Sequence, residues 1–318
     1  MRAEGRCRIA VADLLDAPRA DARRVSQCPF GERVDVLDLA GHWYRVRVRR
    51  DGYVGHVHRD DLDTIPSPSS AGRVAVEATD GPSSGASDAR PHRVGVRATL
   101  LFAEPDIKSP LRLRVPFGAE LDVLDGSDPR EGRDGSDDGP AGRTRETDGA
   151  NAATVGGAAA GGHGPERFAR VRAAIGGRDA EDVFVWREHC LAPGGSLAGS
   201  PLDVARRLYD GAPYLWGGCT PDGADCSGLL QGAAIALGLH LPRDSGEQER
   251  FLEHVVPWPE RAASDAVFWP GHVGLLVDPD TLFHATAHTL ATAVEPLRAV
   301  VARAGPPSSI RRLPTRPG

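Results

Sequence analysis

Nothing in these 318 residues reads as a disulfide framework, a zinc ligand set or a membrane span. The five cysteines, Cys7, Cys28, Cys190, Cys219 and Cys226, are odd in number and scattered, and no C-x-x-C pair occurs among them. That spacing indicates neither a structural metal site nor a set of paired thiols. No apolar run approaches the length needed to cross a bilayer. The opening MRAEGRCRIAVADLLDAPRAD carries charge but no continuous apolar core, so no secretory signal is read there. A net charge of -6 leaves no general basic footprint of a nucleic-acid binder. Together these absences predict a soluble, cytoplasmic protein of a reducing compartment, with neither nucleic acid nor membrane as partner.

What is present is enough for two or three ordinary cores, with 40% hydrophobic residues over this length. The clearest organisation is a repeat. Residues 28–38, CPFGERVDVLD, match residues 115–125, VPFGAELDVLD, with seven identities in eleven positions. Downstream, HWYRVRVRR (42–50) resembles ERFARVRAA (166–174), and GYVGHVHRDDL (52–62) has a looser counterpart in DVFVWREHCL (182–191). Alternating short β-type runs with glycine-containing turns predict two small β-barrels. The first covers 1–65 and the second 92–192, joined by a polar linker over 66–91. The second copy carries an insertion over about 126–165 whose composition is too poor in apolar residues to build a core. A short Pro/Gly segment, 193–201, leads to a C-terminal domain over 201–304, and a Pro-rich tail, 305–318, reads as peripheral.

That domain opens on PLDVARRLYDGAP, a helix with Leu202, Ala205 and Leu208 on one face and a stop at Gly211. After LPRDSGEQERFLEHV come strand-like segments at 266–269, 272–277 and 281–285. Helices first and strands later make it α+β. Between them lies PYLWGGCTPDGADCSGLLQGAAIALGL, where a Gly/Pro/Asp loop gives way at Cys226 to an apolar helical run. A thiol at a helix start faces unpaired backbone N–H groups, which favour the thiolate. The plainer reading of one cysteine there is a small buried apolar side chain. A cysteine nucleophile needs a base, and the base an orienting partner. His272 opens one apolar strand and His284 lies in the next, so pairing of the two would set the rings side by side; taken alone, each is a histidine at a strand end. His189, His240, His254 and His288 read as surface or linker residues.

The segments Tyr214-Leu215-Trp216-Gly217-Gly218, Asp225-Cys226-Ser227-Gly228, Leu241-Pro242-Arg243-Asp244-Ser245 with Gln248, Gly271-His272-Val273-Gly274 and Phe283-His284-Ala285 occur in an order and spacing that resemble the NlpC-type cell-wall cysteine peptidases, a papain-like family. The two repeats resemble the bacterial SH3-like domains that precede such enzymes. The expected fold is therefore α+β, a papain-like NlpC catalytic domain behind two small SH3-like β-barrels. The resemblance implies Cys226 as nucleophile, His272 as base and His284 as the third member of the catalytic set, with no metal or organic cofactor. It implies that Tyr214 helps bind or polarise the scissile carbonyl, core packing being the alternative. It further implies that Asp225, Ser227 and Ser245 hold the substrate's free amino terminus, although Asp225 equally suits a helix N-cap. Glu32 and Tyr53 are the candidates for a wall contributed by the first SH3-like unit.

The implied activity is γ-D-glutamyl-L-diamino acid endopeptidase action on murein peptides with a free N-terminal L-Ala, in cell-wall peptide recycling. The alternatives are a DL-endopeptidase working on intact peptidoglycan and a non-catalytic SH3-based wall-binding protein. Cys219 departs from the family pattern as a second thiol near the nucleophile, and is read as a passive exposed group or one side of a regulatory disulfide. Ala263-Ser264-Asp265 stands where Pro-Gly-Asp is usual.

Overall fold

The computed structural model describes residues 3–66, 91–124 and 164–314. The expected linker 66–91 and insertion 126–165 lie, but for their ends, outside the described residues.

The first unit contains β1 (Ala3–Cys7), β2 (Val11–Leu15), β3 (Arg24–Pro29), β4 (Arg33–Ala40), β5 (Trp43–Val48), β6 (Val54–His58) and β7 (Leu62–Pro66). They form one antiparallel sheet in the order β3-β2-β6-β5-β4-β1-β7, with β3 and β7 at its two edges. Alternation puts Val34, Val36, Val46, Val48 and Val57 into a core with Leu14 and Cys28. The second unit contains β8 (His92–Val94), β9 (Ala98–Phe102), β10 (Leu111–Pro116), β11 (Glu120–Leu121), β12 (Phe168–Ala173), β13 (Glu181–Trp186) and β14 (Cys190–Leu191). Here the hydrogen bonds divide into a four-stranded sheet, β10-β9-β13-β12, and a three-stranded one, β11-β8-β14. The recorded pairing gives open sheets in both units where closed barrels were expected.

The repeated sequence adopts the same turn twice. β3 ends at Pro29 and β10 at Pro116, and each is followed by Phe-Gly with the glycine at positive φ, 77° at Gly31 and 86° at Gly118. The two phenylalanines point out of their own units. Phe30 packs into the core of the second unit, and Phe117 into the core of the third.

The third unit contains α1 (Pro201–Tyr209), β15 (Cys219–Thr220), β16 (Gly223–Ala224), α2 (Cys226–Ala236), α3 (Ser245–Phe251), β17 (Ala266–Trp269), β18 (His272–Asp278), β19 (Thr281–Thr286), β20 (Ala291–Pro296), α4 (Leu297–Ala304) and β21 (Ser309–Arg311). Ser200 caps α1 in a reciprocal capping box with Asp203, behind Pro201 at the first turn. The sheet is antiparallel, β20-β19-β18-β17-β21. Its central strands, β17, β18 and β19, are buried on both faces. Phe268, Val273, Leu275, Phe283 and Ala285 join the α1–α2 layer, while Val267, Trp269, Leu276 and Leu282 join α4. The expected peripheral tail is corrected here: Ser309–Arg311 is an edge strand of this sheet, and Ile310 and Leu313 are buried.

Candidate active site

Cys226 is the first residue of α2, and Asp225 is its N-cap, with Oδ1 accepting from the Gly228 N–H at 2.7 Å. The cap does more than start a helix. Oδ2 accepts from the Gly217 N–H at 2.9 Å, which fixes the preceding loop to the same carboxylate. Arg243 then closes on both oxygens, at 3.0 Å to Oδ1 and 2.7 Å to Oδ2, and its Nη1 also donates to the Ser227 hydroxyl at 2.8 Å. Ser227 in turn donates to Asp225 Oδ1. Arg243 is 1% exposed, so this is a buried, bidentate ion pair. Five donors saturate the Asp225 carboxylate and Ser227 is consumed in the same network. Both residues therefore build the nucleophile's platform, in place of the expected role of holding a substrate ammonium.

Burial pushes the Cys226 thiol up to about 11, with Asp225 adding to the rise, while the Val273 and Ser227 N–H groups and Arg243 work against it. The expected lowering at the helix start is thus outweighed: desolvation of a nearly enclosed sulfur exceeds the pull of the amides. The thiol points at the carbonyl of Gly271, the residue before His272, 4.0 Å away.

The two histidines do meet. His272 Nε2 and His284 Nδ1 are 2.8 Å apart across β18 and β19. The pairing Leu275↔Phe283 sets His284 beside Gly274, where a Cβ would sit 2.9 Å from the His284 Cβ. The glycine is what lets the ring lean across. Burial, with His284 next to it, holds His272 down to about 4, and burial likewise lowers His284. His284 Nε2 lies 2.8 Å from Glu295 Oε2 on β20, and that carboxylate is held in turn by Arg303 from α4. Tyr214 is half-buried in the loop before β15, and its hydroxyl is raised to about 12 by burial and then by the nearby Cys226.

The first unit leans on this site through polar contacts. Gln27 accepts from the Cys219 N–H, Arg243 Nε donates to the Ser26 hydroxyl, and Gln231 donates to Asp51. Tyr53 reaches the catalytic side, its hydroxyl donating to Asp244 Oδ2 at 3.3 Å. Asp244 is exposed at the start of α3, and its carboxyl is raised by burial and then lowered in part by Arg243. Ser245, the next residue, is buried, and its hydroxyl makes no hydrogen bond among the described residues. Glu32 is elsewhere. It is 2% exposed, sits 2.6 Å from Arg50 and lies near Glu120 of the second unit, and burial raises it to about 7. It is a buried structural acid, and the expected wall reduces to Tyr53. Cys219 is likewise corrected. It is buried against Gln27 with its thiol raised by burial, and all five cysteines are free.

Arg243, Asp244, Gln27 and Glu295 received no role from the sequence. Arg243 and Asp244 stand inside a quoted motif, and their signal was a charged pair directly before the buried Ser245. Glu295 had a weaker one, an acid on the strand that follows His284.

Residues 211–301 match the NlpC/P60 family, and residues 14–62 match the bacterial dipeptidyl-peptidase SH3 domain. The bifunctional muramidase/DL-endopeptidase CwlT of Bacillus subtilis is 37% identical over 86 residues, 24% of this chain and 26% of that protein. The γ-D-glutamyl-L-lysine dipeptidyl-peptidase of the same organism is 36% identical over 109 residues, 31% of this chain and 36% of its own length. The chain thus spans between a quarter and about a third of these relatives. An NlpC/P60 family protein from Bacillus cereus ATCC 10987 superimposes with a TM-score of 0.67 at 16% identity, over 97% of this chain and 99% of that one, which establishes a shared fold.

Proposed function

Taking as premise that the chain carries an NlpC/P60 domain behind a bacterial dipeptidyl-peptidase SH3 domain, we propose that it is a cysteine peptidase hydrolysing the γ-D-Glu–diamino acid bond of murein peptides with a free N-terminal L-Ala. Cys226 Sγ attacks the γ-carbonyl carbon and His272 takes the thiol proton. The backbone N–H groups at the start of α2 receive the oxyanion. The intermediate collapses with the C–N bond, the leaving amine takes the proton from His272, and an L-Ala-γ-D-Glu thioester remains. Water, deprotonated by His272, then releases the dipeptide and restores the thiol. His284 holds His272 in place, and Tyr214 lies beside the reacting carbonyl.

The observation that carries this reading is a thiol at a helix start, directed at the Gly271 carbonyl next to His272 in the chain, together with the hydrogen-bonded pair His272 and His284. The one that narrows it is Tyr53 against Asp244. An exposed carboxylate oriented by a phenol, with the Ser245 hydroxyl adjacent, suits a substrate ammonium. We place the ammonium at Asp244, because the Asp225 charge is already matched. We also read the two N-terminal units as duplicated SH3-like domains, on their shared Pro-Phe-Gly turn, with boundaries 1–65, 92–192 and 201 to the β21 edge strand. A role in peptide recycling in the cytoplasm accords with a free-peptide substrate.

The test is incubation with L-Ala-γ-D-Glu-meso-diaminopimelate, with its N-acetylated form, and with intact sacculi, read by mass spectrometry. Cleavage of the free tripeptide alone, abolished in Cys226→Ala, is the expected result. Preferential digestion of sacculi would favour the DL-endopeptidase reading that the CwlT likeness suggests. No cleavage of any of the three by active-site-intact protein would leave a binding module.

A further inference from the structure

We propose that Glu295 is a positioning residue that fixes the tautomers of two histidines in series, and so places the basic lone pair on His272 Nδ1. The proposal rests on the reading of Cys226 and His272 given above. It follows from counting protons along the contacts His272 Nε2···His284 Nδ1 (2.8 Å) and His284 Nε2···Glu295 Oε2 (2.8 Å). An ionised carboxylate only accepts, so the hydrogen of that second contact belongs to His284 Nε2. Neutral His284 then has a bare Nδ1. The contact between the rings holds one proton, which must come from His272 Nε2. Neutral His272 is left with its lone pair on Nδ1, the nitrogen that no other ring uses. Remove the acceptor at Glu295 and the opposite chain is equally good: His284 donates from Nδ1, His272 accepts at Nε2, and its Nδ1 carries a hydrogen. In that state His272 cannot take a proton from Cys226.

The three side chains come from the adjacent strands β18, β19 and β20, and the register Leu282↔Glu295 and His284↔Ala293 puts Glu295 diagonally across from His284. Arg303 from α4 holds the carboxylate at 2.8 Å to Oε2 and 3.4 Å to Oε1, so the acceptor is itself fixed. Besides the two rings themselves, the charged and titratable groups that act on the relay are Glu295 and Arg303, and His288 from the turn after β19. Among the described residues Glu295 is the anion in contact with it, and burial of its carboxyl is outweighed by hydrogen bonds from Arg303 and His284, which hold it below the ordinary carboxylate value.

The experiment compares wild type, Glu295→Leu and Glu295→Gln in the full chain, with Cys226→Ser as background. The readouts are the rate of Cys226 alkylation by iodoacetamide against pH, the 15N tautomer signature of His272, and the thermal midpoint. In serine triads, loss of the orienting acid's charge costs about 10⁴-fold through the wrong tautomer. Here the acid acts one ring further away and is partly solvated, so we expect about 100-fold slower alkylation at neutral pH in Glu295→Leu, within the usual range for general-base effects. Glu295→Gln, whose carbonyl can face both His284 and Arg303, should recover about tenfold of that loss. His272 should carry its hydrogen on Nε2 in wild type and Gln, and on Nδ1 in a large fraction of Leu. An unchanged alkylation profile and tautomer in Glu295→Leu would overturn the proposal. So would equal losses in both variants that follow the thermal midpoint while the tautomer stays wild type. Because none of these readouts uses the murein peptide, a wild type that alkylates as expected but cleaves no tripeptide would sink the substrate reading and leave the relay standing.

Discussion

Replacing Arg243 by methionine should cost far more than any surface ion pair would. The guanidinium is 1% exposed and makes five hydrogen bonds: two to Asp225, and one each to Ser227, the Gly218 carbonyl and Ser26. Its removal leaves Asp225 with only the Gly217 and Gly228 amides and the Ser227 hydroxyl. Breaking one side of a buried pair typically costs about 3–5 kcal/mol, because the surviving charge stays desolvated. Neutralising Asp225 as well should return much of that loss, so the double variant Asp225→Asn/Arg243→Met should be less damaged than the single costs predict, with a coupling of about 2 kcal/mol or more. The assay is urea unfolding of the intact chain followed by fluorescence and circular dichroism. With ordinary denaturant slopes the Arg243→Met midpoint should fall by about 1–2 M. A loss under about 1 kcal/mol, or strictly additive costs in the cycle, would refute the claim that the pair is desolvated and coupled.

Four further outcomes are expected. His272 titrates at about 4 when folded against 6.5 for the free side chain, so the unfolded state binds the extra proton between those values. Stability should therefore rise with pH through that window by about 3 kcal/mol and level off above it, and His272→Asn should flatten the rise in thermal midpoint between pH 4.5 and 7. By the same shift, kcat/KM should keep its base unprotonated well below pH 6, so an acid limb near 6.5 would contradict the buried, neutral His272. Asp244→Asn and Tyr53→Phe should raise KM for the free tripeptide while changing the already poor turnover of the N-acetylated form little. A charged hydrogen bond of this kind is worth roughly 1.5–3 kcal/mol, or about 10–100-fold, for Asp244. Ile310→Ala should lower the stability of the catalytic sheet by about 2–5 kcal/mol in a chemical melt, as expected for a buried strand residue and not for a peripheral tail.

The site was legible where chemistry and local pattern coincide. The loop-to-helix change at Cys226 predicted the helix start, and the apolar runs beginning at His272 and Thr281 became β18 and β19 with their rings in contact. It was opaque where a side chain's fate depends on a partner distant in sequence. Asp225 looked available for an ammonium because the arginine that neutralises it arrives from another loop. Glu32 follows a turn and so resembles a surface acid, but that turn is pressed between two units and the acid is buried against Arg50. The Cys226 thiol was expected to be acidic from the helix amides alone. Its elevation comes from enclosure, a property of the whole fold. The Pro-rich stretch after Gly305 gave no strand pattern, yet Ile310 completes one face of the sheet.

The two phenylalanines of the repeated turn make the three units unequal in their dependence. Phe30 belongs by sequence to the first unit and by packing to the second, and Phe117 stands in the same relation to the second and third. The second and third units therefore each lack one piece of their interior until the preceding unit supplies it, and the dependence runs in one direction along the chain. A catalytic domain cut free near residue 200 would carry a hole where Phe117 sat, at a cost of about 3–5 kcal/mol by analogy with phenylalanine truncation in a core. Damage to the first unit would likewise be felt in the second through Phe30, and directly at the catalytic domain through Ser26 and Gln27.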